Sequence, residues 1–200
     1  FIQVFIGRKN TICFIPKTLQ LRRKSPSGSV SFMPDVWNPS QMNVPWTESP
    51  FFDELLPAAG LSATDGAMAE KFSRDGYVVL SPTDATLSEL ISNLGMQPPV
   101  FAGDRGTDLW QNDARVKSLA LHPEILAAMR MLYRREPVAF QTLNFNLGTE
   151  QRTHSDAVHF HSFPQRFLCG ACAAPEDTDD PNGPLPAYPA THPFPLYDLH

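Results

Sequence analysis

The sequence predicts an α+β fold in which N-terminal helices cover a mostly antiparallel β region. Three observations predict it. Helical apolar spacing dominates between residues 65 and 134. After residue 137 the pattern drops to strict alternation, the period of a strand. Asn182-Gly183 then signals a hairpin, since both residues tolerate positive φ. Helices followed by strands, rather than the two interleaved, is the order of an α+β domain.

The elements follow in order. Residues 1–32 carry six of the chain's 16 basic groups (Arg8, Lys9, Lys17, Arg22, Arg23, Lys24) and none of its 21 acidic ones. The composition changes sharply at Met33, so residues 1–32 are expected to form a basic extension outside the fold, with 33–200 as the domain. Residues 33–60 read as an irregular lead-in anchored by aromatics. A helix is expected over 65–74, closed by Asp75-Gly76, where glycine supplies a left-handed cap. Residues 77–80, Y-V-V-L, follow as a short strand.

Ser81-Pro82-Thr83-Asp84 reads as the next helix start, with proline at its first position. Leu87, Leu90, Ile91 and Leu94 form its apolar stripe, and Gly95 closes it. Another helix is expected over 123–134. It opens with proline and an acid, ends in basic residues, and packs Ile125, Leu126, Met129, Leu132 and Tyr133 into the core. Then V-A-F-Q-T-L-N-F-N-L-G alternates, with Phe140, Thr142, Asn144 and Asn146 on one face and Gln141, Leu143, Phe145 and Leu147 on the other. D-A-V-H-F-H and R-F-L-C-G-A-C-A-A read as further strands. Seven of the 20 prolines fall in the last 26 residues, which argues against helix there.

Composition narrows the function. At 42% hydrophobic and 18% charged the chain is globular in type, with a net charge of −5. Outside residues 1–32 the balance is strongly acidic, which argues against a nucleic-acid partner and suits a small molecule. No apolar run reaches the roughly 18 residues of a membrane span, so no membrane partner is expected. An odd count of three cysteines (Cys13, Cys169, Cys172) argues against a secreted disulfide scaffold and for a cytoplasmic location. Cys169-x-x-Cys172 reads as two buried thiols on opposite faces of a strand, with a redox pair as the other reading. The oligomeric state is not legible.

The densest chemistry lies in T-H-S-D-A-V-H-F-H, residues 153–161. On an extended chain His154 and Asp156 point to the same side, so imidazole nitrogen and carboxylate oxygen can converge on one ion. With one further histidine they would make the facial triad of a non-haem Fe(II) oxygenase, which leaves positions open for co-substrate and O₂. Two alternatives stand beside it. His154 and Asp156 also read as an ordinary surface pair. His159 and His161 read as strand histidines bonded to backbone, or join His154 in a zinc site.

The wider stretch 140–192 resembles the phytanoyl-CoA dioxygenase family, the Fe(II)- and 2-oxoglutarate-dependent oxygenases. The matching features are the strand before the motif, the H-x-D at His154 and Asp156, Glu176-Asp177, and N-G-P-L at 182–185. The helix and G-Y-V-V-L strand around 66–80 match the family's opening. The resemblance covers 137–192 well and 33–200 loosely. It implies a double-stranded β-helix (jelly-roll, cupin-like) core, here incomplete, behind N-terminal covering helices. It implies Fe(II) held by His154 and Asp156, with 2-oxoglutarate as co-substrate. Gln141, Asn144 and Cys172 would border the co-substrate; Gln141 and Asn144 lie on opposite faces, so at most one of the two faces the site. Cys172 stands where relatives carry an aromatic. The implied reaction is hydroxylation of an unactivated C–H in a small molecule by O₂, with release of succinate and CO₂. The family's second iron histidine and its carboxylate-binding arginine lie on later strands. His192 matches a G-S-H element instead, and Pro175 and Pro186 interrupt expected strands. The expectation is therefore a C-terminally truncated, inactive chain. The alternative is a non-catalytic β-helix module with a small ligand or structural zinc at the histidine cluster.

Overall fold

The computed structural model describes residues 43–145, 162–164, 166–174 and 187–193 in full, and the backbone path of residues 2–16. Its elements are β1 (Ile2–Pro16), a 3-10 turn (Trp46–Glu48), α1 (Phe52–Ala58), α2 (Ala63–Asp75), β2 (Val78–Leu80), α3 (Ala85–Met96), β3 (Arg105–Thr107), a second 3-10 turn (Leu109–Gln111), α4 (Ala114–Ala120), α5 (Pro123–Tyr133), β4 (Ala139–Phe145) and β5 (Cys169–Ala174). The fold is α+β, with a mixed sheet.

The helices start and stop where local chemistry satisfies their ends. At α2, the Ser62 hydroxyl accepts from Asp65 N at 3.1 Å, and Gly76 closes the helix in the left-handed conformation (φ 79°). For α3 the cap is Asp84, whose carboxylate accepts from Thr86 N at 2.8 Å, so the helix begins three residues after Pro82 rather than on it. It also runs through Gly95 to Met96, because a buried apolar face outweighs the modest cost of one glycine. The Glu124 carboxylate accepts from Thr83 N (2.8 Å), Thr83 Oγ1 (2.8 Å) and Asp84 N (3.0 Å), tying the start of α3 to the start of α5. α5 opens on Pro123 behind the His122 cap, as expected, and ends on Arg134 in the left-handed region.

The sheet runs β2–β1–β4–β3, with β5 also paired to β1. β1 is antiparallel to β2 and parallel to β4, while β3 and β4 are antiparallel. Residues 2–6 match 169–173 in ascending order, and residues 11–16 match 174–169 in descending order. β5 therefore lies between two arms of β1, joined at residues 7–10. The sequence accounts for this: F-I-Q-V-F-I and T-I-C-F-I are rich in β-branched and aromatic residues, and G-R-K-N between them is turn chemistry. This placement of residues 2–16 differs from the expectation of an extension outside the fold; β propensity, not charge, governs the segment.

Core packing places the helices on one face of the sheet. Phe72, Leu87, Ile91, Leu94, Leu119, Ile125, Met129 and Leu132 are essentially inaccessible, and they pack with Cys169, Ala171 and Ala173 of β5. Each large side chain buried this way contributes about 1.5–3 kcal/mol. The small residues of β5 let the helices sit close against the sheet. A second cluster holds Trp46, Phe52, Leu55 and Ala69. Trp46 donates from Nε1 to Met131 O at 3.2 Å, so the expected aromatic anchor of the lead-in is the buried Trp46.

Candidate functional site

His154, Asp156, His159 and His161 lie outside the described residues, as do Glu176, Asp177 and the Asn182-Gly183 pair. The described strands bracket the histidine segment: β4 precedes it and β5 follows it. Among the described residues no group of three or more His, Cys, Asp or Glu can hold a metal ion. A site with three such ligands would therefore have to include at least one residue outside the described ones.

The register sorts the remaining expected site residues by face. Asn144 and Ala173 are both level with residue 6 of β1, while Leu143 and Cys172 are both level with residue 5. Level residues in a sheet share a face, and successive residues alternate. Ala171 and Ala173 belong to the helix-covered core. Thr142 and Asn144 thus share the helix-covered face, and Gln141, Leu143 and Cys172 the opposite one. Gln141 and Cys172 are half-buried there, two strands apart and so roughly 10 Å across the sheet. The sheet brings Gln141 and Cys172 to one side and holds Asn144 on the other.

Asn144 sits in a polar seam of its own. It is 2% exposed, and its Oδ1 has no hydrogen-bond partner. Beside it, Thr142 is held by a reciprocal contact: Asp108 N donates to Thr142 O at 2.8 Å, and Thr142 N donates to Asp108 Oδ1 at 3.2 Å. Asp108 adopts the left-handed conformation (φ 57°) to make both. Opposite Asn144 on β3 is Gly106, where an added Cβ would lie 2.7 Å from the Phe101 ring. Only glycine fits that close approach.

Cys169 is buried, with its thiol 3.6 Å from Gly170 O, whereas Cys172 is half-buried on the other face. Neither is in a disulfide. Their opposite orientation matches the strand spacing, and Cys169 has the buried character expected of an inert thiol. Cys169 also floors a cleft of about 180 Å³ whose rim includes Val138, Phe163 and Arg135. The Arg135 guanidinium stacks on the Phe167 ring at 4.4 Å.

A charged junction joins three segments distant in the chain. Arg166 Nε lies 2.9 Å from Glu48 Oε2, and the Glu48 side chain is only 3% exposed. Neither atom makes a hydrogen bond, so the charges are close but the N–H is not aligned with the oxygen. Burial pushes the Glu48 carboxyl up from 4.5 to about 7, against the opposing pull of Arg166. Arg166 Nη2 also donates to His192 O at 3.2 Å. The interacting residues are 118 and 26 positions apart in the chain, and neither Glu48 nor Arg166 falls in a motif. The one available signal was an acid inside an apolar aromatic lead-in, P-W-T-E-S-P-F-F. Burial likewise lowers the His192 imidazole, with Arg166 adding to the effect.

No protein-family model matches the chain, and no curated protein or solved structure matches it either. Among the described residues, no helix is long and apolar enough to cross a membrane.

Proposed function

We propose that this chain belongs to an Fe(II)- and 2-oxoglutarate-dependent oxygenase that hydroxylates an unactivated C–H of a small molecule. The observation that carries the reading is the ordered set of motifs around the H-x-D at His154 and Asp156. The α+β architecture is compatible with it, since a helix-covered sheet could form one wall of a double-stranded β-helix. In that reading the catalytic centre lies on the sheet face away from the helices.

His154 and Asp156 would hold the iron, which when bound supplies the O₂ chemistry. The protein's own groups would position and shield. Gln141, on the face away from the helices, has an amide able to donate to a carboxylate oxygen of 2-oxoglutarate. Cys172 shares that face and would line the pocket with a small, apolar thiol. Asn144, on the helix-covered face, would serve the sheet's own packing rather than the co-substrate.

The test measures succinate formed from 2-oxoglutarate with Fe(II) and O₂ by the full-length protein, alongside anaerobic Fe(II) binding. Both should be lost in His154→Ala. Tight stoichiometric zinc that Fe(II) does not displace, lost when His159 and His161 are replaced, would favour a zinc-holding binding module instead.

A further inference from the structure

Residues 187–193 reach the described core at the C-terminal end of α2. Several contacts hold them, including a hydrogen bond between His192 and the Ser73 backbone. Ala190 N donates to Asp75 O at 2.9 Å. Arg166 Nη2 donates to His192 O at 3.2 Å. The His192 ring packs on Gly76, so closely that an added Cβ there would collide with Nδ1 and lie 2.8 Å from Cγ. Gly76 thus has two roles: its left-handed φ closes α2, and its missing side chain makes the seat for the imidazole.

The charges around that seat decide what a proton would do. On the loop after the histidine segment, Arg166 presents a cation to the imidazole. From the first 3-10 turn, Glu48 offsets Arg166 only while ionised, and its carboxyl is pushed up to about 7. Below that point Arg166 faces His192 uncompensated. From α2, Asp75 would welcome a protonated imidazole, but its carboxylate already accepts from Lys71 Nζ at 2.6 Å and Arg74 Nε at 2.7 Å. Tyr133 of α5 and Cys169 of β5 lie against the Glu48 side of the junction; the Tyr133 phenol is pushed up by burial and stays neutral. The Ser73 backbone and Asp75 favour an imidazolium, but burial and the Arg166 charge outweigh them.

We propose that residues 187–193 form a strap clasped to the end of α2 that opens on acidification, with His192 as the group that takes up the proton. The sign follows from linkage. The docked imidazole binds a proton less readily than a solvent-exposed one, so each proton taken up favours the undocked form. The clasp is intact above the ordinary histidine pKa of 6.5 and weakens as pH falls through it. The ceiling on the effect, reached only by a docked imidazole that never takes up a proton, is undocking favoured about 30-fold more at pH ~5 than at pH ~7.5. The strap is a conformational device, independent of the iron reading.

Amide exchange of Ala190 tests it, expressed as a protection factor to remove the intrinsic pH dependence. In the native chain protection should fall from pH ~7.5 to pH ~5, by at most about 30-fold. In His192→Gln it should stay level, with Trp46 fluorescence unchanged as evidence of an intact core. Should that variant not fold, an NMR titration of His192 in the native chain decides the matter: a midpoint clearly below 6.5 is expected. Level protection in the native chain, an unchanged fall in His192→Gln, or an ordinary His192 midpoint would each overturn the proposal.

Discussion

Replacing Glu48 with glutamine asks whether a buried charge pair without an aligned hydrogen bond stabilises or destabilises the protein. Glu48 Oε2 lies 2.9 Å from Arg166 Nε, a distance at which two charges attract strongly in a poorly polarisable interior. Yet the carboxyl is raised from 4.5 to about 7, because losing water costs it more than Arg166 returns. A raised carboxyl means the folded state holds the proton more tightly than the unfolded chain. The penalty is absent below about pH 4.5, grows between there and pH 7, and is complete above it. At 1.36 kcal/mol per pKa unit, the cost of carrying the charge at pH ~8 is about 3 kcal/mol. Glu48→Gln keeps the shape and removes the charge. It should leave stability nearly unchanged at pH ~5 and raise it by up to about 3 kcal/mol at pH ~8. Urea unfolding followed by tryptophan fluorescence measures this, since the Trp46 indole is fully buried in the fold. A glutamine variant less stable than the native chain at pH ~8 would refute the reasoning and show that the attraction of Arg166 outweighs desolvation.

Three further outcomes follow from the fold. Leu119→Ala empties a fully buried site beneath the sheet and should cost about 2–5 kcal/mol in urea unfolding, whereas Val100→Ala, at 99% exposed, should change stability by less than about 0.5 kcal/mol. Glu124→Ala removes the acceptor shared by Thr83 and Asp84 and should cost about 1–2 kcal/mol, visible as a lower midpoint with an unchanged m-value. The amides of residues 2–16 should exchange as slowly as those of β4, and exchange as fast as an unstructured peptide would remove β1 from the sheet.

The helical half of the fold was legible because its signals are local. Gly76, Pro123 and the stripes through Leu87, Ile91 and Leu94 and through Ile125, Met129 and Leu132 sit within one or two turns of what they determine. α1 and α4 gave weaker signals: each has only seven residues, too few to display an apolar period, and α1 contains Pro57. β1 was hidden for another reason. Its basic residues suggested a separate extension, while its pairing with β4 and β5 joins segments more than 130 positions apart, which no local pattern reveals. At the candidate site, alternation along β4 correctly separated Gln141 from Asn144, but which face carries the helices depends on the register with β5. The Glu48–Arg166–His192 junction is entirely a product of tertiary packing.

The central claim is that His154 and Asp156 grip one ferrous ion. Anaerobic titration of the full-length protein with Fe(II), read by the retained metal after gel filtration, tests it most directly. One equivalent should be held by the native full-length protein in the presence of 2-oxoglutarate, and it should be lost in both His154→Ala and Asp156→Ala. Fe(II) retained equally by all three, or by none, would contradict the account.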